Sequence, residues 1–171
     1  MKTKLQTQNK EEYKQTELGL LPNDWDVVKL REVCEKMRAG GTPRTTIKEY
    51  WENGIVPWVG STVCKDLPIY QSAQFITKEG LENSSAKIFP KNTVLIALVG
   101  ATIGKTGILM FDCSTNQNIS GIITKDNKKI DTNYLFFATK QLYSKFMSLS
   151  GDTFKMATLS FIRSLKIPLP P

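Results

Sequence analysis

Thr93-Val-Leu-Ile-Ala-Leu-Val99 carries no charge and no alternation of polar and apolar positions. Seven residues are far short of the roughly 18–20 that a bilayer span needs. An unbroken apolar run of this length, bounded by the turn residues Pro90-Lys91-Asn92 and Gly100, predicts a strand buried on both faces. Gly100 and Gly104 then mark a turn into a second run, Gly107–Phe111, and Asn118-Ile-Ser-Gly-Ile-Ile-Thr124 makes a third strand candidate after the polar Ser114–Gln117. Upstream, Trp25–Leu30 reads as a strand or strand-to-helix transition, and Phe75–Thr77 as a brief strand. Ile55–Val59 also reads as a strand, in which Pro57 predicts an edge or strand-end position. A short helix is predicted over Arg31–Met37, ended by Gly40-Gly41-Thr42-Pro43. Lys65–Pro68 is predicted as a polar loop, and Glu79-Gly80-Leu81 and Asp126–Lys129 as turns.

The period changes after Asp131, a good N-cap. Leu135, Ala138, Leu142, Phe146 and Leu149 recur at three- and four-residue steps, with Gly151 just beyond, which predicts an amphipathic helix near 131–149. Leu159–Leu169 is a last short segment that must stop at Pro168-Leu-Pro-Pro171. The fold class expected is therefore α+β, an irregular α/β domain with a β-rich core. Residues 1–17 read as a polar N-terminal arm and 18–171 as one domain, since 171 residues leave no room for two enzymatic domains.

Composition narrows the chemistry. The chain has no histidine, which removes Ser-His and Cys-His nucleophile systems and most zinc or iron sites. Cys34, Cys64 and Cys113 are odd in number and form no CxxC, pointing to reduced thiols in a cytoplasm. No membrane segment is read. Lys plus Arg number 23 against 16 Asp plus Glu, a net charge of +7. The excess lies in the last two thirds, as expected of a surface that meets phosphates.

Gly100-Ala-Thr-Ile-Gly104-Lys105-Thr106 is one residue short of a phosphate-binding P-loop and runs into a strand where that mechanism needs a helix, so it predicts a hairpin with an exposed Lys105. Asp24, Asp26, Glu49, Glu52 and Asp66 have no tight catalytic spacing and read as solvated charge. Asn116-Gln117-Asn118 lacks the Pro-Pro and aromatic partners of an amino-methyltransferase motif, but its amides suit adenine edges. Trp25, Trp51 and Trp58 sit in apolar surroundings and are predicted to pack rather than stack on bases.

The order of these segments carries a resemblance. Tyr13-Lys-Gln-Thr-Glu-Leu-Gly-Leu-Leu-Pro22, Trp25…Leu30, Gly41-Thr-Pro43, Tyr50-Trp51…Asn53-Gly54-Ile55…Pro57-Trp58-Val59, Ile76-Thr77…Gly80-Leu81…Ser84-Ser85-Ala86, Pro90…Gly100…Ile103-Gly104, Asn116-Gln117, Gly151 and Ile167-Pro-Leu-Pro-Pro171 together resemble one target recognition domain of a type I restriction-modification specificity (S) subunit. The resemblance implies a non-catalytic subunit that reads one half of a bipartite double-stranded DNA target. It implies partnership with a methyltransferase (M) subunit and, through it, a restriction (R) subunit. S-adenosylmethionine would then lie on the M subunit, with no cofactor on this chain. The sequence reaches Pro171 where the family's first long spacer helix would begin, so that helix is expected to be absent, and a second half-subunit is a further expected partner. The alternatives from other classes are a metal-dependent nuclease or phosphotransferase built on the scattered carboxylates, a basic protein-interaction domain, and an inactive or truncated S-subunit fragment.

DNA contact is expected from three polar loops on a rigid β-rich frame. Thr42, Arg44, Thr45 and Lys48 form the first, Ser61, Thr62 and Lys65 the second, and Lys105 with Asn116 and Gln117 the third. Arg44 is the expected base reader, because a guanidinium can take guanine O6 and N7 together, and Lys48, Lys65 and Lys105 are the expected phosphate contacts.

Overall fold

The computed structural model describes residues 12–124, 130–149 and 156–171. The predicted turn at Asp126–Lys129 and the predicted stop at Gly151 lie outside the described residues. A hairpin of β1 (Tyr13–Thr16) and β2 (Gly19–Pro22) opens the described chain. It spans the expected boundary near Leu18, because Thr16 and Gly19 close a tight turn in which the Thr16 hydroxyl donates to the Gly19 carbonyl at 2.7 Å. Next come β3 (Asp26–Lys29), a single helical turn α1 (Leu30–Val33) and β4 (Cys34–Ala39). The predicted Arg31–Met37 helix therefore stops at Val33. Beyond it Met37 lies opposite Ile122 and Lys36 opposite Ile123, and this ladder outweighs the local helical pattern.

Two sheets form the frame. The five-stranded sheet runs β4–β12–β9–β10–β6, with β6 (Leu67–Ile69), β9 (Val94–Ala97), β10 (Thr106–Leu109) and β12 (Ile119–Thr124). The four-stranded sheet runs β7–β5–β11–β8, with β5 (Val56–Val59), β7 (Gln74–Ile76), β8 (Ile88–Phe89) and β11 (Cys113–Thr115). Among the described strand pairs only β6–β10 and β5–β11 are parallel. The apolar run is the central strand β9, as its patterning predicts. Val94 and Ile96 face a core shared with Leu135, Phe146 and Ile162, while Leu95 and Ala97 face Val59, Phe89 and Cys113 between the sheets. All four residues of β9 are fully buried, each large one stabilising the fold by about 1.5–3 kcal/mol.

Pro57 lies near the start of an inner strand, the strand-end alternative of the expectation: pairing with β11 begins only at Trp58, so the missing N–H is not needed on that side. The polar Ser114 and Thr115 are a wholly buried stretch of β11. Two further expectations are corrected. Leu67–Pro68 begin β6, which gains its partner in parallel β10. Glu79–Leu81 is not a turn but part of α2 (Lys78–Glu82), capped by Thr77, whose Oγ1 accepts from Gly80 N at 3.0 Å.

The 131–149 segment is helical, capped by Asp131 accepting from Asn133 N and Tyr134 N at 2.8 and 3.0 Å. It is two helices, α3 (Thr132–Lys140) and α4 (Tyr143–Met147). Gln141 N and Leu142 N bond the carbonyls three residues back, a tightened turn that still leaves Leu142 and Phe146 buried. Last come α5 (Leu159–Ser164) and β13 (Lys166–Leu169), the latter pairing with β3. Trp58 is buried, with its Nε1 donating to the Gly41 carbonyl at 3.1 Å, and Trp51 stands edge-on to it at 5.2 Å. Trp25 packs edge-on against Tyr134 at 6.3 Å. All three tryptophans thus pack as expected.

Candidate nucleic-acid interface

Strand register places the polar loops at one end of the molecule. In the five-stranded sheet β4 and β9 finish where β12, β10 and β6 begin: Ala39 pairs with Ser120, Ala97 with Ile119, Ile96 with Thr106, and Gly107 with Leu67. In the four-stranded sheet β5 and β11 finish where β7 and β8 begin, with Trp58 opposite Gln74 and Ser114 opposite Ile88. Asn116-Gln117-Asn118 alone links β11 to β12, so the two ends coincide. Gly40 N and Gly41 N stitch them together by donating to the Ile119 and Thr115 carbonyls at 3.1 and 2.8 Å.

The first and third predicted loops meet here. Thr42 Oγ1 donates to Gln117 Oε1 at 2.6 Å, and Asn116 Oδ1 accepts from Asn118 N at 3.1 Å. That leaves the Gln117 and Asn116 amide nitrogens without a hydrogen bond among the described residues. The second loop joins through Gly60, where an added Cβ would lie 3.6 Å from Asn116 Nδ2. Ser61–Val63 form a 3-10 turn anchored by buried Cys64, from which exposed Thr62 and Lys65 project without side-chain hydrogen bonds among the described residues. Burial, and then the nearby Asp66 charge, push the Cys64 thiol up to about 12, so it is an inert anchor.

Arg44 and Thr45 are exposed on the first loop. Of the four arginines, Arg38 donates from Nη2 to the Ile88 carbonyl at 2.6 Å and Arg163 donates from Nη2 to the Met37 carbonyl at 3.0 Å. Arg31 has Glu32 at 4.0 Å. Only the Arg44 guanidinium has no partner among the described residues. Lys48 stands apart from the cluster, because its 3-10 turn (Lys48–Tyr50) docks on α2, with Thr77 N donating to the Tyr50 carbonyl at 2.9 Å.

Lys105 is not simply exposed. Its hairpin forms as predicted, but its ammonium donates to Asp66 Oδ2 at 2.8 Å and lies 4.5 Å from the Tyr143 ring centroid. Asp66, expected to be solvated, is instead a junction: it also accepts from Thr106 N at 3.0 Å and Thr106 Oγ1 at 3.2 Å. Partial burial alone would raise its pKa. The Lys105 and Thr106 hydrogen bonds and the Lys105 charge outweigh this and hold the carboxyl below the ordinary range. The pair fixes the β6–β10 junction beside the second loop.

Sequence reasoning missed Asn83, Ser85 and Lys87 as site residues. Ser85 lies against Gly41, whose added Cβ would be 2.4 Å from the Ser85 carbonyl, and exposed Lys87 immediately precedes β8 at the loop end. The Ser84-Ser85 doublet was the available signal. A larger cavity of about 480 Å³ is lined by Leu18, Leu21, Phe137, Gln141, Leu142 and Pro168, none of them a residue of the three loops.

Known proteins place the chain. Residues 22–171 match the model of the type I restriction modification DNA specificity domain. The type I restriction enzyme MjaIX specificity subunit of Methanocaldococcus jannaschii is 36% identical over 166 residues, covering 93% of this chain and 37% of the relative. The EcoR124I/EcoR124II specificity subunit of Escherichia coli is 26% identical over 141 residues, covering 79% and 34%. Among solved structures, a chain from a study of complex assembly and conformational transition of the type I R-M system aligns over 99% of this chain and 40% of its own, with TM-score 0.68 and 23% identity. The HsdS subunit from Thermoanaerobacter tengcongensis aligns over 99% and 39%, with TM-score 0.63 and 20% identity. The chain thus spans less than two fifths of the length of these curated relatives. By this match, and by an α+β frame shared with those structures, the chain belongs to the type I restriction modification DNA specificity domain family.

Proposed function

We propose that this chain is a sequence-specific DNA-recognition module that reads one half of a bipartite target for a type I restriction-modification complex. The observation that carries the reading is the convergence of Thr42, Arg44, Thr62, Lys65, Asn116 and Gln117 at one end of two sheets, with amides and a guanidinium left unpaired. Unpaired donors on a rigid frame are what base edges and phosphates require. Asn116 and Gln117 present amides for base edges, while Lys65 and Lys87 hold backbone phosphates. Lys105, committed to Asp66, acts as a positioning residue. The chain is non-catalytic in this role. S-adenosylmethionine and methyl transfer belong to an M subunit, which with an R subunit completes the assembly.

The test is enrichment of randomised duplexes on the purified chain, with and without a cognate methyltransferase subunit, at two salt concentrations. A short asymmetric motif, with affinity falling steeply as salt rises, supports the reading. Indifference to DNA sequence in both conditions overturns it.

A further inference from the structure

Beside the amide pair lies a second, different constellation. Thr42, Arg44, Tyr50, Asn83, Ser84 and Ser85 line a cleft of about 340 Å³. Among the described residues no carboxylate lines it, and the one charge in its lining is the Arg44 guanidinium. Among the described residues the guanidinium, the Asn83 amide and the Tyr50 and Ser85 hydroxyls have no hydrogen-bond partner. Ser84 Oγ accepts from Ala86 N at 3.1 Å, so its own proton remains available to donate. The walls are rigid: the Arg44 carbonyl accepts from Ile47 N at 3.2 Å and from Trp51 Nε1 at 3.2 Å, and Gly41 seats the first loop against the Ser85 backbone.

We propose that this cleft is a phosphodiester subsite, in which Arg44 anchors the DNA backbone and does not read a base; the proposal rests on the DNA-recognition reading above. Donors from several walls, with one cation and no anion, match a tetrahedral oxyanion that accepts on every side. A guanine edge offers only the two acceptors O6 and N7 in one plane, and reading it engages the guanidinium alone, leaving the Ser84, Ser85 and Asn83 donors unused. Asn116 and Gln117 differ in kind, because each amide carries a donor and an acceptor side by side, the pattern an adenine edge needs. Anchoring and reading are thus divided between neighbouring parts of one surface.

The test measures affinities of the full chain, Arg44→Ala, Arg44→Lys and Ser85→Ala for a duplex bearing the enriched motif and for an unrelated duplex, each across a salt series. Thermal melting confirms that the variants fold. Arg44→Ala is expected to weaken both duplexes by the same factor and to lower the slope of log K against log salt by about 0.9, the value for one phosphate. Arg44→Lys should keep the slope, and Ser85→Ala should weaken both duplexes equally with the slope unchanged. The subsite is overturned if Arg44→Ala relaxes preference at a single base pair with an unchanged slope, or if it leaves binding to both duplexes unaltered. It is also overturned if inorganic phosphate alone binds in an Arg44-dependent way while DNA affinity is indifferent to the variant, which would make the cleft a free-anion site. A wild-type chain that binds neither duplex removes the DNA-recognition reading itself, and the subsite with it.

Discussion

The Thr42 hydroxyl donates to the side-chain carbonyl of Gln117 at 2.6 Å across 75 positions of sequence. This bond leaves the Gln117 carboxamide one orientation, with its NH2 turned away from Thr42, so the second loop member depends on the first. Thr42→Val should relax base preference at the position that Gln117→Ala abolishes, and the double variant should be no worse than Gln117→Ala alone. Stability should change by only about 0.5–1.5 kcal/mol in each case. Selection of randomised duplexes on the three variants measures the coupling, and additive losses of preference would show that the bond does not orient the amide.

Gly41 sets the distance between the first loop and Ser85. An alanine there puts Cβ 2.4 Å from the Ser85 carbonyl, which is backbone and cannot swing aside. Gly41→Ala should lower the free energy of urea unfolding by about 1–3 kcal/mol. Gly60→Ala is the matched control. Its Cβ would meet nothing closer than Asn116 Nδ2 at 3.6 Å, and its backbone at φ −89° suits any residue, so its unfolding midpoint should match that of wild type.

The Asp66–Lys105 pair makes part of the stability pH-dependent. Because the folded carboxyl titrates below its unfolded value of about 3.9, its contribution is complete above that pH and is lost as pH falls through the folded value. Asp66→Asn keeps a residue suited to φ 61° but removes the charge. At neutral pH the variant should be less stable by about 1 kcal/mol, a figure reduced for the partial exposure of both groups. The gap should close below about pH 4. A gap of constant size across the acid range would contradict the assignment.

Cys64 and Cys113 are buried thiols pushed up to about 12, in both cases chiefly by burial. Thiol-directed reagents at pH 8 should leave both unmodified in the folded chain and label them on unfolding in urea, read by intact-mass spectrometry. Rapid labelling of Cys64 in the native chain would mean that the Ser61–Lys65 turn opens.

How far the fold was legible follows from where local pattern and tertiary pairing agree. The unbroken 93–99 run could satisfy itself only between two layers, and it became β9 with a core on each face. Asp131 and the 3.6 period fixed the position of the helical segment, while the tightened turn at Gln141–Leu142 left no mark in the pattern. Cys34–Met37, helical by local pattern, is strand because its partner β12 is distant in sequence. A polar pair such as Ser114-Thr115 looks like loop until Trp58 and Val59 lie beside it. At the site, Arg44 was legible as the guanidinium of the loop after Gly40-Gly41-Thr42-Pro43, and Asn116 and Gln117 as adjacent amides suited to adenine edges. Lys105 was not separable from a free lysine, since Asp66 lies 39 positions away and meets it only through the parallel β6–β10 pair. Ser85 was hidden for a similar reason: only the contact at Gly41 carries it to the first loop.

In the proposed role DNA meets the end of the sheets where these loops converge. Backbone amide shifts of the isotope-labelled chain, followed during titration with a duplex bearing the enriched motif, locate the contact residue by residue. Shifts are expected at Gly41–Thr46, Ser61–Lys65, Asn83–Lys87 and Asn116–Asn118, saturating together and weakening with salt. Shifts concentrated instead around Leu18, Leu21, Phe137 and Leu142, with the loop end unmoved, would contradict that role.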